Sequence, residues 1–208
     1  VYTGKAITPE VTVESLTEGQ DYEVAYSDNV NVGTAKVTIT GKGSCTGKIE
    51  KTFSITPADI SKKEVAGLKE SYVYTGKAIT PELTIEGLTE KQDYEVAYSS
   101  NVNVGTATVT ITGKGNYTGK IEKTFSITPA ELTGVKVTGY EGTYDGKSHT
   151  ITVERLPEDA KITYSTEKDG EYTTDVPSRT NVGTTAVYYK VSLANYKTLE
   201  GAVRIIIK

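Results

Sequence analysis

In Thr106-Ala107-Thr108-Val109-Thr110-Ile111-Thr112 every second residue is apolar and every other one is threonine. A period of two sends alternate side chains to opposite faces, so the segment predicts a half-buried β-strand. Tyr94, Val96 and Tyr98 share one face of a second such run, with Glu95 and Ala97 on the other, and Leu83 and Ile85 alternate with Thr84 and Glu86. Further on, Ile121, Phe125 and Ile127 face one way, with Lys123 an exception on that face, and Lys51 is its counterpart earlier in the chain. Turn clusters separate these runs: Thr75-Gly76-Lys77, Gly87-Leu88-Thr89-Glu90, Ser100-Asn101-Val102-Asn103 and Gly113-Lys114-Gly115-Asn116. No ten-residue stretch carries a helical apolar face. Short strands with turn signals at roughly 8–12-residue spacing predict antiparallel sheets packed face to face.

The same pattern recurs. Residues 1–58 return at 73–130 without a gap and differ only at 11, 13, 15, 19, 28, 36, 44 and 45. A more divergent third copy comes next. Tyr144-Asp145-Gly146-Lys147 stands for Tyr74-Thr75-Gly76-Lys77, Asn181-Val182-Gly183-Thr184 for Asn103-Val104-Gly105-Thr106, and Asn195-Tyr196 for Asn116-Tyr117. Self-similarity at a fixed period is the signature of a repeat architecture. The expected units are 1–57, 58–130 and 131–208. Copy three opens with the alternating Val135-Lys136-Val137-Thr138 and copy two with Lys63-Glu64-Val65-Ala66-Gly67-Leu68, whereas Val1 aligns with Val73. The first unit is therefore expected to lack its opening strand, and the chain reads as a piece of a longer array. Thr56-Pro57-Ala58 and Thr128-Pro129-Ala130 lead almost directly into the next unit. Proline restrains itself and its predecessor, so these joints are expected to be stiff and the array rod-like.

Composition sharpens the class. Fifteen Tyr against two Phe and no Trp favour pleated, half-buried surfaces. A net charge of −4 argues against a nucleic-acid partner, which needs a clustered basic surface. One Cys excludes an intrachain disulfide, and one His leaves little for imidazole catalysis or metal binding. No apolar run approaches the roughly 20 residues of a membrane span, and there is no signal-peptide core, so no membrane insertion is expected in this segment.

Tyr-Thr/Asp-Gly-Lys, Asn-Val-Gly-Thr and Gly-Asn-Tyr-x-Gly, at the positions given, together resemble tandem repeats of secreted and surface-anchored Firmicutes proteins, the bacterial immunoglobulin-like or MBG-type domains. Copy three (Ile162-Thr163-Tyr164-Ser165-Thr166 and Tyr188-Tyr189-Lys190-Val191) looks like the immunoglobulin-like subtype. The resemblance implies an all-β chain of three tandem immunoglobulin-like β-sandwich repeats. It also implies an extracellular role, on a bacterial surface or secreted, as a spacer, stalk or adhesin segment. Some related repeats are β-grasp-like, which requires a helix between strands; the connection Gly87–Asp93 is too short for one.

Several residues invite chemistry. Cys45 occupies the site of Tyr117 and Tyr196, and is most simply a small hydrophobe in a Tyr position. His149 stands before a strand with no nucleophile or orienting acid marked nearby, so a triad is not expected. The oxygens of Asp28-Asn29-Val30-Asn31 fit loop capping better than calcium. Asn116-Tyr117-Thr118 fits a glycosylation sequon. Gly113-Lys114-Gly115-Asn116 reads as a hairpin, with no phosphate fingerprint around it. A Lys–Asn cross-link of the kind found in surface pilins would require Lys51 or Lys123 to be buried. Tyr164, Tyr172, Tyr188 and Tyr189 are the candidate ligand surface, because a Tyr offers an apolar ring with a polar tip. The expectation is a non-enzymatic monomer with no cofactor or metal. Its partners are neighbouring domains of the same polypeptide, with glycan or host protein as the alternative, met through copy three.

Overall fold

The long alternating runs are strands, and the computed structural model describes all residues, Val1–Lys208. In the first copy β1 (Tyr22–Ser27), β2 (Gly33–Gly41) and β3 (Lys48–Ile55) form a three-stranded antiparallel sheet in that order. Then come β4 (Ala58–Asp59), β5 (Ser71–Val73), β6 (Tyr94–Ser99), β7 (Gly105–Gly113), β8 (Tyr117–Thr118) and β9 (Lys120–Thr128). Four of these make a sheet of order β5-β9-β7-β6, in which β6 and β7 are antiparallel with Tyr94 opposite Gly113. The short β5 runs parallel to β9, Ser71 opposite Ser126.

The third copy contributes β10 (Lys136–Thr138), β11 (Tyr140–Gly142), β12 (His149–Thr150), β13 (Thr152–Glu154), β14 (Lys161–Ser165), β15 (Ser178–Arg179), β16 (Gly183–Ser192) and β17 (Leu199–Ile207). Its main sheet repeats the topology as β11-β17-β16-β14, again with a parallel outer pair, Tyr140 opposite Ile205. The pairs β10–β13 and β12–β15 are separate two-stranded ladders. The chain is all-β. No helix is present, so the β-grasp alternative lacks its defining element, and no helix is long and apolar enough to cross a membrane.

The chain packs as two compact units. One comprises Val1–Glu70, Thr80–Ser99 and Ala107–Phe125; the other comprises Ser71–Ile79, Ser100–Thr106 and Ser126–Lys208. Within the first, Ile60, Leu83, Ile85, Tyr94, Val109, Ile111 and Ile121 form one buried cluster, flanked by Val65, Leu68 and Leu88. Its sheet face is covered by a second layer of chain joined by a single antiparallel bridge, Ala66 to Thr84, rather than by a second full sheet. That bridge brings backbones so close that a Cβ on Gly67 (φ +93°) would stand 2.2 Å from the Glu82 carbonyl.

The tyrosines answer a problem this second layer creates. Its backbone lacks a full ladder, and buried carbonyls need donors. Tyr94 Oη donates to the Leu83 carbonyl at 3.3 Å, and Tyr22 Oη to Val11 O at 3.3 Å. Tyr98 and Tyr26 do the same for Pro81 and Pro9. The Tyr22 and Tyr94 rings are buried and those of Tyr26 and Tyr98 half-buried, while each hydroxyl ties the opposite layer, which neither Phe nor Leu can do.

In the second unit Ile151, Tyr164, Val187 and Ile205 form the core, with Val137, Tyr140, Val153 and Tyr189 packed against it. Each main sheet thus buries one face against a covering layer, a sandwich with an incomplete second leaf. Two lysines bear on the cross-link. Lys51 and Lys123 lie on the inward side of the alternation, yet both are exposed. A lysine there keeps its ammonium in water, and the buried lysine that a cross-link requires is not present at either site.

Candidate functional site

The first unit contains the joint between copies one and two. Asn116 sits in the turn between β7 and β8, where its carboxamide reaches across to the preceding copy. Its Oδ1 accepts from the Val32 amide at 2.8 Å, and its Nδ2 donates to Asn31 Oδ1 at 3.0 Å. Beside it, Tyr117 meets Tyr2 edge to face, centroids 5.4 Å apart at 84°. The connecting segment is stapled as well: Ala58 N donates to Asn116 O at 3.0 Å, and β4 pairs parallel with β8.

The second unit contains the joint between copies two and three, and it is built the same way. Asn195 Oδ1 accepts from the Val104 amide at 2.8 Å, and Asn195 Nδ2 donates to Asn103 Oδ1 at 3.1 Å. Tyr196 meets Tyr74 edge to face at 5.5 Å and 81°, and Ala130 N donates to Asn195 O at 3.1 Å. Burial raises the Tyr117 phenol above its ordinary range, with the neighbouring Tyr2 acting in the same direction. The motifs that the sequence marked as turns are the two halves of a clamp.

Of the four tyrosines offered as a ligand surface, Tyr172, Tyr188 and Tyr189 border one open depression and Tyr164 does not. Tyr188 stands on the outer face of β16, between a depression of about 340 Å³ and another of about 500 Å³. Tyr172 and Lys190 border the first, and Gly139, Ala186 and Arg204 the second. Tyr172 is held in place: its Oη donates to Lys168 O at 3.0 Å, and Lys190 Nζ lies 4.6 Å from its ring centroid. Lys190 also pairs with Glu200 at 3.2 Å.

Tyr164 and Tyr189 also pack toward the core. Tyr164 is 5% exposed, and burial raises its phenol pKa. Tyr189 borders the groove but alternates with Val187 and Val191 and packs on the core cluster. Its ring spans Gly201 opposite, where a Cβ would stand 2.3 Å from its hydroxyl. Strand alternation gives Tyr188 and Tyr189 opposite faces of β16, yet both residues border the depression of about 340 Å³.

Cys45 is half-buried beside an open slot of about 270 Å³ with Val13, Leu16, Ile39 and Ile49. Asn29 Nδ2 donates to Ile7 O at 3.0 Å, so this loop asparagine holds backbone. No group of three His, Cys, Asp or Glu side chains could hold a metal ion. The Asn116 carboxamide, read as a sequon, is committed to Val32 and Asn31. Sequence reasoning missed one pair. His149 Nε2 lies 2.9 Å from Asp145 Oδ1 and stacks on Tyr140 at 3.9 Å and 13°. The His149 contact, with the Lys147 amide next, holds the Asp145 carboxyl below its ordinary range. The spacing Asp145-x-x-x-His149 across a turn was the available signal. The pair fixes a ring; a triad would add a nucleophile held by the imidazole.

No family model matches the chain, and no curated protein matches it. Among solved structures, the chain is similar to a protocadherin gammaB7 EC3-6 cis-dimer structure at 10% identity, with a TM-score of 0.25, over 98% of this chain and 70% of that one. A likeness that slight carries no argument about function.

Proposed function

We propose that the chain is a non-catalytic structural segment, a spacer or stalk of a secreted or surface-exposed bacterial protein, whose repeats hold a distal domain at a distance. The observation that carries this reading is the recurrence of one clamp, atom for atom, at both joints: Asn116 on Val32 and Asn31, Asn195 on Val104 and Asn103. A joint that is hydrogen-bonded, ring-packed and proline-led resists bending, which a spacer requires and a tether does not. The bacterial and extracellular setting is supported by the resemblance of the Tyr-Thr/Asp-Gly-Lys and Asn-Val-Gly-Thr motifs. Small-angle scattering tests the reading. A stiff row of repeats gives a radius of gyration well above the about 17 Å of a compact chain this long, and a value near 17 Å overturns it.

A second reading has its own observation. The groove around Tyr188 and Tyr172 presents ring surface beside Lys190, Glu200 and Arg204, a composition suited to glycan or a polar peptide. A glycan array and a matrix-protein screen on the full chain, with Tyr188→Ala as control, decide this. Binding that survives the substitution removes the groove from consideration.

A further inference from the structure

We infer that the far end of copy three is a preformed acceptor for the Asn-Tyr turn of a further repeat of this type. It is built from Tyr144, Asn181 and Val182. The inference goes beyond the spacer reading, since an acceptor can be filled whatever the array is for.

In both observed joints the acceptor has three parts: a Tyr ring, an Asn carboxamide and the amide of the following Val. Copy three holds all three residues on the same local backbone. Tyr144 N donates to Lys208 O at 2.8 Å, as Tyr2 N does to Thr56 O at 2.8 Å and Tyr74 N to Thr128 O at 2.9 Å. The turn after it has the same shape, with φ of +76° at Gly146 against +77° at Gly4 and +76° at Gly76. The loop carrying the amide also agrees, with φ of +136° at Gly183 against +145° at Gly33 and +142° at Gly105. Such φ values favour glycine, so three glycines in one conformation mark one repeated backbone.

What differs is occupancy. Val32 and Val104 each give their amide to an asparagine; the Val182 amide has no acceptor within the chain. Tyr2 and Tyr74 are half-buried under a partner ring, whereas Tyr144 is 54% exposed and Val182 62%. The loop keeps its shape without a partner because Arg179 spans it, donating to Asn181 O at 2.8 Å and Val182 O at 2.9 Å. Those bonds engage carbonyls and leave the amide available.

Continuity with two existing joints identifies the occupant as a repeat bearing Asn-Tyr at the positions of Asn116 and Tyr117. A second copy of this chain does not offer that pair at its first repeat, where Ser44-Cys45 stands instead. Its other two Asn-Tyr pairs are already engaged.

Amide exchange followed by NMR on the full chain tests this. In the chain as it stands, Val182 is expected to exchange fast and Val32 and Val104 slowly. The chain is then extended by joining a second copy of residues 57–128 directly after Lys208, which aligns with Thr56. Val182 exchange is expected to slow at least about fivefold, the worth of one hydrogen bond. Replacing the appended Asn by Ser restores the fast rate. An appended repeat that is folded by its own core amides, with Val182 exchange unchanged, overturns the inference. So does an Asn116→Ser change in the original chain that leaves Val32 exchange as slow as before.

Discussion

Tyr94 shows at one residue what the tyrosine-rich composition is for. Its ring lies in the core at 2% exposure, and its hydroxyl reaches the Leu83 carbonyl of the covering layer at 3.3 Å. Tyr94→Phe keeps the ring and orphans that carbonyl, so a loss of about 0.5–1.5 kcal/mol is expected, read from the denaturant midpoint at unchanged slope. Burial first, then the charges of Glu90 and Asp93, raise the Tyr94 phenol; burial also raises Tyr117 and Tyr164. A phenol whose folded pKa exceeds its unfolded value contributes stability that is complete below about pH 10 and is lost as pH rises through the folded value. Alkaline unfolding is therefore expected to set in above about pH 10, tracked together by tyrosinate absorbance and circular dichroism. Ionisation of all fifteen tyrosines at the ordinary pH with the sheet intact would refute that account.

Two segments of identical sequence, Lys48–Ile55 and Lys120–Ile127, meet different fates as elements. Ile121 is 6% exposed, while Ile49, at the same place in β3, is 48% exposed. Ile121 shares a cluster with Ile60, flanked by Val65 and Leu68, whereas Ile49 is open. Joining a copy of residues 58–72 directly before Val1 should cover Ile49, Val13 and Leu16. Burying the Ile49 side chain alone is worth up to about 1.5–3 kcal/mol. The expected result is a higher melting temperature for the first repeat and slowed exchange in β3; an unchanged melt would show that the slot does not accept the lead-in. Alternation made the long strands and their inward residues legible, from Ala107 and Val109 to Ile127. It could not show β5 and β11 pairing parallel to the last strand, because a three-residue strand carries no readable period. Tyr164 and Tyr188 are alike as residues, and alternation alone does not say which face of β14 or β16 turns inward; the sheet buries one and presents the other. The Asn clamp lay in plain sight as turn residues; its partners are 84 and 91 positions away, a distance no local pattern encodes.

At the scale of the whole molecule, the clamp ties repeats of unequal strength. Copy one buries less: Val11 and Val13 are half-buried where Leu83 and Ile85 are 3% exposed, and its face at Ile49 is open. Units with only nearest-neighbour contacts share stability through their joints, so a weak repeat is held folded by the one it is clamped to. Asn116→Ala removes both side-chain bonds to copy one while leaving each repeat's own core intact. At about 0.5–1.5 kcal/mol per bond, the loss falls on the coupling rather than on either fold. A domain of about 60 residues moves by roughly 4–8 °C per kcal/mol, so copy one should melt detectably earlier in calorimetry, splitting or broadening the first transition. Asn195→Ala, at the other joint, should leave that transition in place and loosen copy three from copy two instead. If both variants melt like the parent chain, the repeats fold independently and the clamp only aligns them.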